Sequence, residues 1–328
     1  MEIPEALSRG LEALLAQQEN RGGSAPVRAA GAAISQRYRT RVGTGERLIL
    51  SDTEALAYAV SRMPATFAAV YDALEKADPH ALRGAPSLLD VGTGTGAACW
   101  AAARRYELRS AVCLDADPKM LRTAGALFQS GPPPLRDARL LQCDASGGPL
   151  PARADLVVSA YMLGELPPSR RAAALRAMWD AADRMLLLVL PGTPQGYAAV
   201  MQARALLLSW GAYLAAPCPH MGACPLPEND WCHFSCRVPR TRLHRQIKGG
   251  SAPYEDEKYA YLAAVRAQDG AGGGFRVLRH PQVHKGYVRL TGCTPAGLET
   301  RTVTRSEGEA YRAARRAAWG DLLAPEEP

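Results

Sequence analysis

The sequence predicts an α/β fold built on a doubly wound, Rossmann-type parallel sheet. A helical region precedes the sheet, and a cysteine-rich metal-binding insertion follows it. Three observations lead there. Short apolar runs alternate with alanine-rich helical stretches between residues 87 and 190. One strand-like run ends in the glycine-rich turn Gly92-Thr93-Gly94-Thr95-Gly96. Cys218, Cys224, Cys232 and Cys236 crowd into 19 residues of Pro-rich chain without periodicity.

Residues 1–84 form the helical region. Leu7, Leu11, Leu14 and Leu15 recur at helical spacing, and Gly22 to Pro26 break the pattern. Ser51-Asp52-Thr53-Glu54 reads as a helix start. Pro64 is expected to interrupt that helix, with a second one over 65–77. Residues 85–215 form the Rossmann-like core, with strands expected at 87–91, 111–115, 138–142, 154–159 and 184–190. Its helices are expected at 96–105, 118–128, 169–182 and 197–214, and Asp117 before Pro118 reads as an N-cap. Residues 216–254 are the cysteine-rich insertion. Residues 255–328 are a basic C-terminal region expected to complete the core. It should hold a helix near 255–267, a flexible loop at Gly270–Gly274, strands near 286–292 and 298–304, and a helix at 307–318.

The net charge of +7 is unevenly placed. Residues 237–328 carry 16 Lys/Arg against 10 Asp/Glu, whereas the rest of the chain is nearly balanced. A concentrated basic segment suggests a polyanionic partner, RNA first. No long apolar run suggests a membrane span. Met1-Glu2-Ile3-Pro4-Glu5 lacks the apolar stretch of a secretory signal, so the expected location is cytoplasmic. A monomer is the expected state, although no residue pattern fixes it.

Leu88-Leu89-Asp90-Val91 followed by the glycine turn is a buried strand opening onto a helix, where backbone amides can face a ligand. The glycines alone also satisfy the dinucleotide fingerprint and leave NAD open. The flanking acids favour another ligand. Asp90 could accept from an ammonium group, Asp115 from ribose hydroxyls and Asp144 from an adenine amino group. A cation, a ribose and an adenine describe S-adenosylmethionine; a pyrophosphate would be repelled. The expected contacts are Asp90, Gly92, Thr93, Gly94, Gly96, Asp115, Asp144, Ala145 and Ser159.

These segments resemble the class I S-adenosylmethionine-dependent methyltransferases. Leu88 to Gly96 looks like their first motif, Asp115 and Asp144 match the acids after their second and third strands, and Asp155-Leu156-Val157-Val158-Ser159 looks like their fourth. Ser159-Ala160-Tyr161-Met162 stands where methyltransferases of base amino groups carry Asn/Asp-Pro-Pro-aromatic, so that chemistry loses support. No catalytic residue is named by the sequence, although methyl transfer can run on alignment alone.

The cysteine spacing is neither a zinc ribbon nor a ferredoxin pattern, yet thiols on open, Pro-rich loops are good metal ligands. A closed site needs four ligands. Cys293, beyond Tyr287-Val288-Arg289-Leu290, and Cys236 compete for the fourth place, ahead of His220 and His233.

Ala216-Pro217-Cys218-Pro219-His220, Cys224-Pro225-Leu226, Asp230-Trp231-Cys232-His233-Phe234-Ser235, Glu255 to Tyr261 and Trp319-Gly320-Asp321 resemble the methyltransferase-like assembly factors of the mitochondrial small ribosomal subunit and their bacterial relatives. Arg62 to Thr66, Leu163-Gly164-Glu165-Leu166-Pro167 and Pro191-Gly192-Thr193-Pro194 agree. The resemblance implies a [4Fe–4S] cluster on Cys218, Cys224, Cys232 and Cys293, with zinc the runner-up. It also implies a partner in the small ribosomal subunit and its 16S-type rRNA. Two departures stand out: Cys236 sits where relatives usually lack a thiol, and Leu190 replaces an acid before the Pro-Gly-Thr-Pro segment.

Arg37-Tyr38-Arg39-Thr40-Arg41 interleaves stacking and phosphate-binding groups, and Arg237, Arg240, Arg242, His244, Arg245 and Lys248 form a second basic run. The expected function is therefore an S-adenosylmethionine-binding, iron–sulfur, methyltransferase-like protein of rRNA and small-subunit assembly. The alternatives are a non-catalytic assembly factor and a small-molecule methyltransferase with structural zinc.

Overall fold

The computed structural model describes residues 1–23, 25–40, 43–44, 46–77, 82–240, 252–267 and 273–324. Three helices lead the chain: α1 (Glu5–Gly22), α2 (Ala25–Thr40) and α3 (Asp52–Ala77). Ser51 caps α3 by accepting from the Glu54 amide at 3.2 Å, while the Glu54 carboxylate accepts from the Leu50 amide at 2.7 Å. The expected break at Pro64 does not occur. α3 runs through it, because Met63, Pro64, Ala65 and Phe67 are all buried and packing outweighs one lost backbone hydrogen bond.

The central sheet begins with β1 (Ser87–Val91), α4 (Ala97–Arg105), β2 (Ser110–Asp115) and α5 (Pro118–Phe128). Asp117 caps α5 by accepting from the Lys119 amide. A short α6 (Pro133–Arg136) precedes β3 (Arg139–Gln142). Then come β4 (Ala154–Ala160), a one-turn α7 (Met162–Glu165), α8 (Pro168–Ala181), β5 (Ala182–Pro191) and α9 (Pro194–Ser209). Thr193 caps α9 and Pro194 occupies its first turn, where a missing amide costs nothing.

β1 to β5 are parallel in the order β3-β2-β1-β4-β5. The far side is completed by β6 (Tyr213–Ala216), β7 (Phe234–Pro239) and β8 (Tyr254–Val265). β8 lies antiparallel to β5, and β6 and β7 pair with its other edge. The result is the mixed α/β sheet of a class I methyltransferase-like fold, with strand order reversing between β1 and β4.

The helix expected over 255–267 is thus a strand. Its apolar run Tyr259–Val265 is buried on both faces of the sheet, so it shows no two-residue alternation to mark it. A second sheet follows: β9 (Phe275–Val277), β10 (Gln282–His284), β11 (Tyr287–Thr294), β12 (Gly297–Thr304) and β13 (Leu322–Leu323). A helix at Glu309–Arg316 covers its small core of Phe275, Val277, Val288, Leu290 and Val303. Gly270–Gly272 of the expected loop lie outside the described residues.

Candidate cofactor and thiol sites

A cavity of about 680 Å³ opens at the carboxyl ends of β1 to β4, where the strand order reverses. Its size falls in the range of small-molecule sites. Gly92, Gly94, Asp115, Ala116, Asp117, Asp144, Ala145, Ala160 and Met162 line one side. Gly92 has φ +74°, and a Cβ there would stand 2.4 Å from Met162. Gly94 has φ +54° with open space where its side chain would be, so its backbone faces the cavity directly. The Asp115 carboxylate accepts from the Gly94 amide and the Asp117 amide, both at 2.8 Å, which fixes its angle. Burial holds this carboxyl above its ordinary range.

The other expected contacts divide. Asp90 does not line the cavity. It lies behind the glycine loop, fully buried, accepting from Thr93 Oγ1 at 2.7 Å and Cys99 Sγ at 3.2 Å. Its Oδ1 has no partner among the described residues, and burial pushes the carboxyl up to about 6. Thr93 is likewise turned inward, and Gly96 is packed under Phe128. Ser159 is buried on β4, its hydroxyl without a partner among the described residues. Asp144 is at the rim, where its carboxylate accepts from the Ser146 hydroxyl and amide; these bonds hold it below the usual carboxylate range.

The opposite wall comes from α2, α3 and the loop between them, and was not read from the sequence. Tyr38, Arg47, Leu48, Ile49 and Tyr58 line it, with Glu165 from α7. The Tyr38 and Tyr58 rings lie 5.9 Å apart. Burial pushes the Glu165 carboxyl up to about 7, against the opposing hydrogen bond from Tyr38. In the sequence Leu163 to Pro167 carry only a resemblance, because nothing local shows that one turn after β4 faces this space.

Cys218, Cys224, Cys232 and Cys293 line a second cavity between α9, β8 and the second sheet, together with His220, Tyr197, Arg204 and Arg276. Three come from the open loop between β6 and β7. Cys293 comes from β11, opposite Arg276 on β9. Burial pushes up the thiols of Cys218 and Cys232, and takes Cys293 to about 12. Tyr197 Oη donates to Cys224 Sγ at 3.3 Å, and Cys293 Sγ is 3.4 Å from His220 Nε2. Cys236 is absent from this cavity. It sits on β7 near Asp72, Glu257 and Lys76 of other elements. His233 instead stacks on Trp231 and meets Trp319 edge to face. Among the described residues no three His, Cys, Asp or Glu side chains converge as a group for one metal ion.

The first basic run is largely engaged. Arg37 pairs with Glu54 at 2.5 Å, and Tyr38 is in the cavity wall. Arg39, Arg62 and Arg240 surround an adjoining cavity of about 480 Å³ that shares Tyr38. Arg62 stands 3.7 Å from Glu257, and Arg240 pairs with Glu255 at 3.2 Å. Arg237 pairs with Asp256 and stacks on Tyr254. Arg41, Arg242, His244, Arg245 and Lys248 lie outside the described residues.

A family model described as mitochondrial small ribosomal subunit Rsm22 matches residues 52–324. The chain belongs to the Rsm22 family. Human "Ribosome assembly protein METTL17, mitochondrial" is 30% identical over 301 residues, covering 84% of this chain and 64% of that protein. The fission yeast (Schizosaccharomyces pombe) "Rsm22-cox11 tandem protein 2, mitochondrial" is 24% identical over 195 residues, covering 45% of this chain and 26% of that one. This Rsm22-family chain therefore spans less than two thirds of either relative. Among solved structures, magnesium protoporphyrin IX methyltransferase from Synechocystis with bound SAM superposes with TM-score 0.41 and 17% identity, over 71% of this chain and 91% of that one. These descriptions overturn the cytoplasmic expectation: the family and both relatives are mitochondrial, and a short N-terminal reading carries no weight against that.

Proposed function

We propose that this Rsm22-family chain is a monomeric assembly factor of the small ribosomal subunit that binds S-adenosylmethionine and a [4Fe–4S] cluster. The observation that carries the cofactor reading is the cavity at the ends of β1–β4, lined by Gly92 and Gly94, with Asp115 held by the Gly94 amide where it would accept from a ribose. Asp144 and Ala145 line the same cavity and would face the adenine. The bound cofactor supplies an electrophilic methyl group on a sulfonium. Family membership supports the ribosomal partner. The adjoining cavity with Arg39, Arg62 and Arg240 supports contact with an rRNA phosphate beside the cofactor.

The donor set suits a cluster. Four thiols share one cavity, and four cysteine thiolates are the usual ligands of such a cluster. Cys218, Cys224, Cys232 and Cys293 would hold it. It would tie the β6–β7 loop to the second sheet and supply a one-electron couple.

Methyl transfer to rRNA is the second reading, and Glu165 favours it. A carboxyl near 7 in the wall facing the cofactor site is poised to take the proton that an acceptor amine or hydroxyl loses as it gains the methyl group. The separating experiment follows labelled methyl groups on immature small subunits while measuring co-sedimentation. Co-sedimentation with no transferred label supports assembly alone. Label on the rRNA that disappears in Glu165→Gln supports the second reading, and loss of co-sedimentation from the wild type defeats both.

A further inference from the structure

Two arginines stand against the thiol cavity, Arg204 from α9 and Arg276 from β9. Both are buried, at 5% and 2% exposure. Both grip the loop that carries Cys218. Arg204 Nη2 donates to the carbonyls of His220 (3.2 Å) and Gly222 (2.6 Å), and Arg276 Nε donates to that of Pro217 (2.9 Å). Arg276 Nη1 donates to the carbonyls of Gly320 at 2.8 Å and Lys76 at 3.3 Å. All of these acceptors are neutral, and among the described residues neither arginine pairs with a carboxylate. Arg204 Nε is buried and finds no oxygen or nitrogen partner among the described residues.

A guanidinium keeps its charge in proteins, and a buried charge without a counter-charge is strongly disfavoured. Cys218 and Cys293 share the cavity with both arginines. Arg276 is the cross-strand neighbour of Cys293, and Arg204 holds the loop just beyond Cys218. Neutral thiols offer no balancing charge. Four thiolates around an oxidised [4Fe–4S] core leave a dianion, which two guanidinium groups match.

We propose that Arg204 and Arg276 are the resident counter-charges of a dianionic thiolate centre and raise the reduction potential of the cluster it holds. The inference rests on the cluster reading above. The two residues are positioning residues: they act on the centre through charge and through the Pro217–Gly222 backbone. One added electron makes the cluster more negative, so nearby positive charge favours the reduced form.

The test uses the full chain reconstituted anaerobically with ferric iron, a thiol reductant and sulfide, with visible absorbance, iron content and midpoint potential as readouts. Arg204→Gln and Arg276→Gln are each expected to disfavour reduction about tenfold, a shift of about 59 mV for one electron. Arg204→Lys and Arg276→Lys, which keep the charge, are expected to stay close to the wild type. Cluster assembly in the Lys variants but not the Gln variants supports the same conclusion. Gln variants with wild-type potential, or Lys variants as impaired as Gln, overturn the charge role while the wild-type cluster stands. A wild-type chain that takes up no cluster overturns the cluster reading and this inference together.

Discussion

The hydroxyl of Tyr197 donates to the sulfur of Cys224 at 3.3 Å, joining the helix after β5 to the loop that carries three of the four clustered thiols. The methyltransferase-like core and the cysteine-rich insertion therefore share a wall. Hydrogen bonds to ligand sulfur are one of the means by which a protein tunes a cluster. Tyr197→Phe removes that donor and keeps the ring. The expected result is a folded protein that takes up iron and sulfide but is reduced at a lower potential than the wild type, read by spectroelectrochemical titration.

Asp90 makes folding stability depend on pH. Its carboxyl rises from 3.8 to about 6 because burial outweighs the bonds from Thr93 and Cys99. A carboxyl raised on folding gives stability that is fully present below its unfolded value and lost as pH climbs through its folded value. The loss falls between about pH 4 and 6 and amounts to roughly 3 kcal/mol, since one unit is worth about 1.4 kcal/mol. Asp90→Asn cannot ionise. Its melting temperature is expected to exceed that of the wild type at pH 8, with the difference shrinking at pH 4, by calorimetry.

Gly92 cannot carry a side chain without cost. Its φ of +74° and the 2.4 Å that would separate an added Cβ from Met162 both act against Gly92→Ala. The left-handed backbone costs about 1–2 kcal/mol, and overpacking about 1–3 kcal/mol more. The expected outcome is a lower denaturant midpoint and loss of S-adenosylmethionine binding, measured on the same preparation.

The local parts of the candidate sites were legible in the sequence, and the parts set by distant packing were not. The glycine turn, the strand rhythm and the acids at Asp115 and Asp144 are short-range features, and the structure puts them around one cavity. The direction of Asp90 was not legible, because only its neighbours Thr93 and Cys99 decide that it turns inward. Tyr38 read as an exposed stacking group but meets Tyr58 across a helix pair. Tyr259–Val265 read as helix because a strand buried between β5 and its outer neighbours loses the alternation that would identify it. Spacing alone left Cys236 and Cys293 in competition. The β9–β11 pairing, invisible in the sequence, is what brings Cys293 to the thiol cavity, while β7 carries Cys236 away from it.

Binding to rRNA predicts a salt-dependent weakening on charge reversal. Arg240 flanks the cavity that adjoins the cofactor site, and Arg242 and Arg245 follow it in sequence. Reversing all three to Glu is expected to weaken rRNA binding. Its logarithmic salt dependence should become shallower by about 1 for each phosphate that is no longer neutralised. Equal retention of wild type and variant on rRNA contradicts this role.

The cofactor cavity at the ends of β1–β4 is the centre of the account, and titration calorimetry of the full chain with S-adenosylmethionine tests it most directly. Asp115 is held by two backbone amides at the proposed ribose position and lies apart from the thiol cavity. The predicted result is saturable binding by the wild type that weakens at least tenfold in Asp115→Ala, with the melting temperature of the unliganded protein little changed. A wild type that binds no S-adenosylmethionine, or an Asp115→Ala variant that binds it equally well, would contradict the account.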